Sequence, residues 1–171
     1  MDSIPYTQLC QEAVVSPVFH TDDKAIILIV CASGLSSAES MIIDLLNDGD
    51  KRQITLFQGA RNVAELYHWE FFKELADRHS NCVYLPALNE PEENVNWQGF
   101  VGFFHEAAIA HCGGMFSDQK AYLCGPPPMI DAAIGALVLG HLFGNDIHLE
   151  KFTTAADGPS NTERSALFKR I

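Results

Sequence analysis

The chain has 171 residues, 47% of them apolar, enough to bury the core of one globular domain. Its 22 acidic and 11 basic residues give a net charge of −11, which argues against a nucleic-acid partner, because phosphate recognition depends on clustered Lys and Arg. No apolar run reaches the roughly eighteen residues of a membrane span, and no basic-then-apolar leader opens the chain, so a cytoplasmic protein without membrane association is expected.

Residues 1–24 form an unplaced amino-terminal segment. Ala25 to Val30 is then a continuous apolar run, as in a strand buried on both faces, and it ends in the small-residue turn Cys31-Ala32-Ser33-Gly34-Leu35-Ser36-Ser37. Met41, Ile42, Leu45 and Leu46 recur at helical spacing up to Asn47-Asp48-Gly49. Ser36 with Glu39 fits a capping box, which sets the helix start near Ser36 and aims its amides at whatever anion occupies the turn. Gln53 to Phe57 reads as a strand, Val63 to His79 as helix and Cys82 to Leu88 as a strand. The acidic stretch from Asn89 to Gln98, with Pro91 and Trp97, reads as a solvent-facing connection beside the sheet's carboxyl edge. Phe103 to Cys112 follows as helix.

Tyr122-Leu123-Cys124-Gly125-Pro126-Pro127-Pro128-Met129 is the most informative stretch. An apolar strand over Ala121 to Cys124 runs into Gly125, and the prolines then open a helix at about Pro127 whose Met129, Ile130, Ala133 and Leu137 share one face. A thiol and small-residue backbone therefore sit at the carboxyl end of a strand, where open α/β sheets bind ligands. Asp146 to Glu150 is a last strand, and residues 153–171 turn small and polar as a carboxyl-terminal tail. The rhythm predicts an α/β fold: an open, mostly parallel five-stranded sheet with helices on both faces, over residues 25–152.

Cysteines at positions 10, 31, 82, 112 and 124 include no close pair, so neither a zinc ribbon nor a plant-type iron-sulfur spacing is present, and free thiols are expected. His105 and His111 stand six residues apart, whereas one helix face needs four, so no metal site is expected.

Gly34-Leu35-Ser36-Ser37, Ile54-Thr55-Leu56-Phe57 with Gly59-Ala60-Arg61, Tyr122 to Met129, and Glu150-Lys151-Phe152 resemble the NAD(P)H-binding, Rossmann-like domain of the ferredoxin-NADP⁺ reductase superfamily. Within it the chain looks most like the reductase component of multicomponent phenol hydroxylases, a likeness that the ending Arg164 to Ile171 extends. The resemblance implies an oxidoreductase domain that binds NADH and works with FAD and [2Fe-2S] modules supplied by a partner chain, passing electrons to a di-iron oxygenase. It implies that Ser33, Gly34, Leu35 and Ser36 lie under the cofactor pyrophosphate and that Gly59 and Arg61 lie near the adenosine. Cys124 and Gly125, with Pro126 and Met129, would border the nicotinamide, while Glu150 and Phe152 would stand where the flavin approaches. Cys124, Glu150 and Phe152 are thus the residues implied at the reacting end, with Cys124 as a positioning group.

Each assignment also has a plain structural reading. Cys124 can be a small core filler, Arg61 a solvated loop charge, Phe152 a residue packed under the tail and Ser36 a helix cap. The family pattern has Gly-Gly where this chain has Cys31-Ala32, so two side chains stand where backbone comes close to the ligand. No flavin-binding segment or ferredoxin cysteine set is present, and Val18-Phe19-His20 resembles the last strand of a flavin domain. A truncated, non-catalytic remnant or interaction module that keeps the fold is therefore the alternative.

Overall fold

The five segments read as strands each become a strand of one parallel sheet, seen in a computed structural model that describes residues 22–93 and 95–151. In chain order the elements are β1 (Ala25–Cys31), α1 (Leu35–Asn47), β2 (Ile54–Ala60), α2 (Trp69–Arg78), β3 (Cys82–Leu88), β4 (Phe100–Val101), α3 (Phe104–Cys112), β5 (Gln119–Gly125), α4 (Pro127–Leu139) and β6 (Ile147–Lys151). The sheet order is β4-β3-β2-β1-β5-β6. Every neighbouring pair is parallel, with Cys31 opposite Gly59 on one side of β1 and Val30 opposite Cys124 on the other.

The described residues thus hold six strands rather than the expected five. The addition is β4, whose two residues pair Phe100 with Ala87 and Val101 with Leu88 and are too few to show any periodicity. The predicted helix from Val63 is also divided. A short 3-10 turn at Val63–Glu65 is followed by a break, and α2 begins only at Trp69, after His68 in the left-handed region at φ 55°. Burial explains the break. Leu66 turns into the core, and the carbonyl of Tyr67 accepts a 3.1 Å bond from Gln58 Nε2, whose own oxygen accepts from the Tyr84 hydroxyl at 2.6 Å. A helix through Tyr67 would commit that carbonyl elsewhere and leave the buried Gln58 amide unsatisfied.

Period-two alternation sorts the core into two layers. Ile26, Leu28 and Val30 pack with Ile42 and Leu45 of α1 and Phe72 of α2. Ile27 and Ile29 face Phe104 and Ala108 of α3 and Ile130, Ala133 and Leu137 of α4. The helical stripe expected after Pro127 therefore faces the sheet.

The amino-terminal edge of the sheet is held by charge. Lys120, 3% exposed, places Nζ 2.6 Å from Asp22 Oδ2. Arg52 Nη1 donates to the Asp22 carbonyl at 3.1 Å while Arg52 Nη2 meets Asp50 at 2.6 Å, and Lys24 reaches Asp146 at 2.8 Å. These pairs fix the entry to β1.

Candidate dinucleotide-binding site

From β1 the chain moves outward through β2 and β3 to β4, then returns to the other side of β1 as β5 and β6. The reversal lies between β1 and β5, and a crevice outside the carboxyl ends of strands at such a point is where open α/β sheets take ligands. A cleft of about 420 Å³ opens along this edge, within the range of small-molecule sites. Cys31, Ala32 and Gly59 line it at the strand ends, Arg61, Glu65 and Tyr67 follow β2, and Pro126 and Met129 open α4.

The two corners singled out in the sequence meet. A Cβ built on Gly34 would lie 2.5 Å from the carbonyl oxygen of Cys124 and 2.9 Å from its Cβ. A Cβ on Gly125 would lie 2.6 Å from Cys31 Sγ. Glycine at these two positions is what lets the turn after β1 press against the turn after β5.

The capping box is not formed. A 3-10 turn at Ala32–Gly34 runs directly into α1, so Gly34 is the cap residue and Ser36 already lies in the first helical turn, where its carbonyl accepts from Ser40 Oγ at 3.1 Å. Glu39 instead reaches His68 Nδ1 at 3.0 Å. Of this turn, Cys31 and Ala32 line the cleft, whereas Gly34, Leu35 and Ser36 are not among its lining residues; the helix start, with the positive end of its dipole, follows directly after Ala32–Gly34. Ser33 belongs to the 3-10 turn, and Leu35 is 5% exposed with its side chain in the core, so it offers only backbone to the edge.

Gly59 lines the cleft, and its missing side chain is filled by Phe104, whose Cδ1 would be 2.4 Å from an added Cβ. Arg61 stands at the rim with its side chain 67% exposed. Its Nε donates to Glu65 Oε1 at 2.9 Å and Oε2 at 3.1 Å, and Nη2 also donates to Oε1. That pairing holds the Glu65 carboxyl below its ordinary range. Cys124, 7% exposed, packs in the layer under α1 and is not among the lining residues, whereas Pro126 and Met129 are. Glu150 is opposite Cys124 in the β5–β6 register. Phe152, Val18-Phe19-His20, residues 1–17 and the tail 153–171 lie outside the described residues.

Glu65, Tyr67, Asn89 and Phe103 also line the cleft and carry no motif. What they share is position: each follows the carboxyl end of a strand, which is the one sequence signal that could have found them.

The substituted pair Cys31-Ala32 does not plug the cleft. The Cys31 thiol turns inward, 3.5 Å from Met129 Sδ, and burial pushes its pKa up to about 11, so it stays protonated and inert at neutral pH. Ala32 lines the cleft in the left-handed region at φ 49°. An L-residue pays about 1–2 kcal/mol there, partly offset by the extra unfolded-state freedom of glycine. Ala32→Gly is therefore expected to raise stability by about 0.5–1 kcal/mol in urea denaturation, and a loss of stability would show that the turn is not strained.

Comparison with known proteins agrees with this arrangement. The profile of the oxidoreductase NAD-binding domain matches residues 28–134. The chain is 63% identical over 155 residues to the reductase component DmpP of phenol 2-monooxygenase from Pseudomonas sp. strain CF600, covering 90% of this chain and 44% of that protein. It is 52% identical to the phenol hydroxylase P5 protein of Acinetobacter pittii strain PHEA-2, again over 90% of this chain and 44% of the relative. Among solved structures, the cytochrome P450 reductase GcoB of Amycolatopsis superposes with a TM-score of 0.73 at 26% identity, over 82% of this chain and 41% of that one. The chain thus spans less than half the length of these relatives. With the sheet order, the switch-point cleft and the matched profile in agreement, the chain belongs to the oxidoreductase NAD-binding domain family.

Proposed function

We propose that this domain binds NADH at the carboxyl edge of its sheet and serves as the nicotinamide-binding part of an electron-transfer reductase for an aromatic or phenol monooxygenase. The observation that carries the reading is the meeting of the two corners, Gly34 against the Cys124 backbone, beside a cleft that spans from β2 to the start of α4. The residues present fit a dinucleotide. The α1 amino terminus, reached through the lining residues Cys31 and Ala32, suits an anionic pyrophosphate, the β2 end with Arg61 and Tyr67 can hold one nucleoside, and Pro126 and Met129 border the other end.

When bound, the nicotinamide supplies a hydride, and the protein supplies orientation. Met129 and Pro126 shape the surface against which the reacting half rests, and the buried Cys124–Gly125 backbone fixes that surface to β5. Glu150, in β6, and Phe152, next after Lys151 in the sequence, are proposed to stand on the side from which a flavin approaches. FAD and [2Fe-2S] groups held outside the described residues, on a partner chain, would carry the electrons on to a di-iron oxygenase component. The printed names of the relatives, a phenol 2-monooxygenase reductase and a phenol hydroxylase protein, support this assignment. A cytoplasmic setting is part of the same proposal and is supported by the buried, unoxidised Cys31 and Cys82 thiols among the described residues. Among those residues no helix is long and apolar enough to cross a membrane.

A second reading, a non-catalytic module that keeps the fold, is favoured by two details: the Ala32 methyl on the cleft lining and the placement of Cys124 in the core. Titration of the purified chain with NADH, followed by nicotinamide fluorescence, separates the two. Saturation well below about 1 mM is expected for the reductase domain, and no saturation by that concentration would leave the module reading.

A further inference from the structure

The rim beyond β2 bears on which dinucleotide the site accepts. Among the described residues lining the cleft, Arg61 is the only Arg or Lys and Glu65 the only carboxylate, and they are bound to each other through Nε and Nη2. The pairing is built by the backbone. The 3-10 turn Val63–Glu65 brings the Glu65 side chain back over the end of β2, where the Arg61 amide also donates to Oε2 at 3.4 Å. A second carboxylate stands near: the Glu90 amide donates to the Arg61 carbonyl at 2.8 Å, tying the loop after β3 to this corner, and the Glu90 charge acts on Arg61. Counting Arg61, Glu65 and Glu90 together, the rim carries one more negative than positive charge.

In doubly wound folds the residues that follow β2 meet the adenosine ribose, and an arginine there is the usual partner of a 2′-phosphate. Such a guanidinium must offer its planar fork to the phosphate. Here the fork is occupied by Glu65. We propose that Glu65 sets a preference for NADH over NADPH, by holding the Arg61 fork in an ion pair and placing negative charge at the rim that an added 2′-phosphate has to enter. The inference rests on the cofactor reading above and assigns a specificity role to a residue that carries no sequence motif. Glutamine at position 65 would keep the size of the side chain while removing its charge and its claim on Arg61.

The test uses the purified chain at fixed, low ionic strength, since charges at an exposed rim are screened by salt. NADH and NADPH are each titrated into wild type, Glu65→Gln and the double variant Glu65→Gln/Arg61→Ala, and the ratio of the NADPH to the NADH dissociation constant is read for each. In Glu65→Gln the ratio is expected to fall about tenfold or more, the gain of one charge-assisted contact. In the double variant it should return to within about threefold of wild type, because no freed guanidinium remains. A ratio unchanged in Glu65→Gln, with NADH still saturating, overturns the specificity role and leaves the cofactor reading intact. A fall that persists in the double variant overturns the part assigned to Arg61. Absence of saturable NADH binding by wild type removes the cofactor site, and this inference with it.

Discussion

Gly34→Ala is expected to destabilise the domain by about 2–3 kcal/mol and to abolish saturable NADH binding. The added methyl would sit 2.5 Å from the Cys124 carbonyl oxygen and 2.7 Å from its carbonyl carbon, atoms of a central strand that cannot move without breaking its register with β1. Gly34 has φ −63°, so its backbone is ordinary and relief through a change of conformation gains nothing. Overpacking against backbone belongs at the upper end of the usual range for such changes. The methyl would push the turn after β1 away from the turn after β5, and the α1 amino terminus would move with it. Urea denaturation gives the stability change and the fluorescence titration gives the binding. A variant as stable as wild type, within about 0.5 kcal/mol, would show that the two corners do not touch.

At the opposite edge the largest effect should come from Asp22. Asp22→Asn leaves the Lys120 ammonium, 3% exposed, without its 2.6 Å partner. Removing one member of a buried pair costs about 3–5 kcal/mol, and the partial exposure of the Asp22 side chain, 31%, lowers the expectation to about 2–3 kcal/mol. Lys120→Met should cost less, since it removes the charge that needs a partner and keeps most of the volume. The pair also gives an acid signature. The Lys120 hydrogen bond, above all, holds the Asp22 carboxyl below its ordinary value of 3.8. A lowered folded-state pKa means that the contribution is complete above that value and is lost as the pH falls through the folded one. Wild type should therefore lose stability below about pH 4 through a component that Asp22→Asn lacks, readable as converging stability curves for the two proteins. Curves that stay parallel into acid would assign the effect to something other than this carboxylate.

Four of the long strands were legible as apolar runs closed by turn signals, β6 through the alternation of Ile147 and Leu149 with polar residues, and the helix after Pro127 because its stripe is regular. The features that escaped have tertiary causes. β4 exists only because Phe100 and Val101 find β3, and the start of α2 is set by a buried Gln58 amide that takes the Tyr67 carbonyl. The capping box failed because a 3-10 turn delivers the chain to the helix already wound, two residues before Ser36. At the site, Gly34 and Gly125 were legible as glycines at corners, while the Arg61–Glu65 pair depends on a short turn that the helical pattern of Val63 to His79 conceals. The side of the sheet taken by Cys124 follows from strand parity. It shares a face with Val30, its register partner, and Leu123 takes the other.

The sulfur of Cys31 occupies the volume that any side chain at position 125 would need. Loss of fold or of activity on substituting Gly125 therefore carries no information about ligand proximity in this chain, because steric conflict with the neighbouring thioether-facing thiol is sufficient cause. Only when position 31 is emptied at the same time, as in Cys31→Gly/Gly125→Ala, does the mutational sensitivity of this corner become a readout of what lies above it.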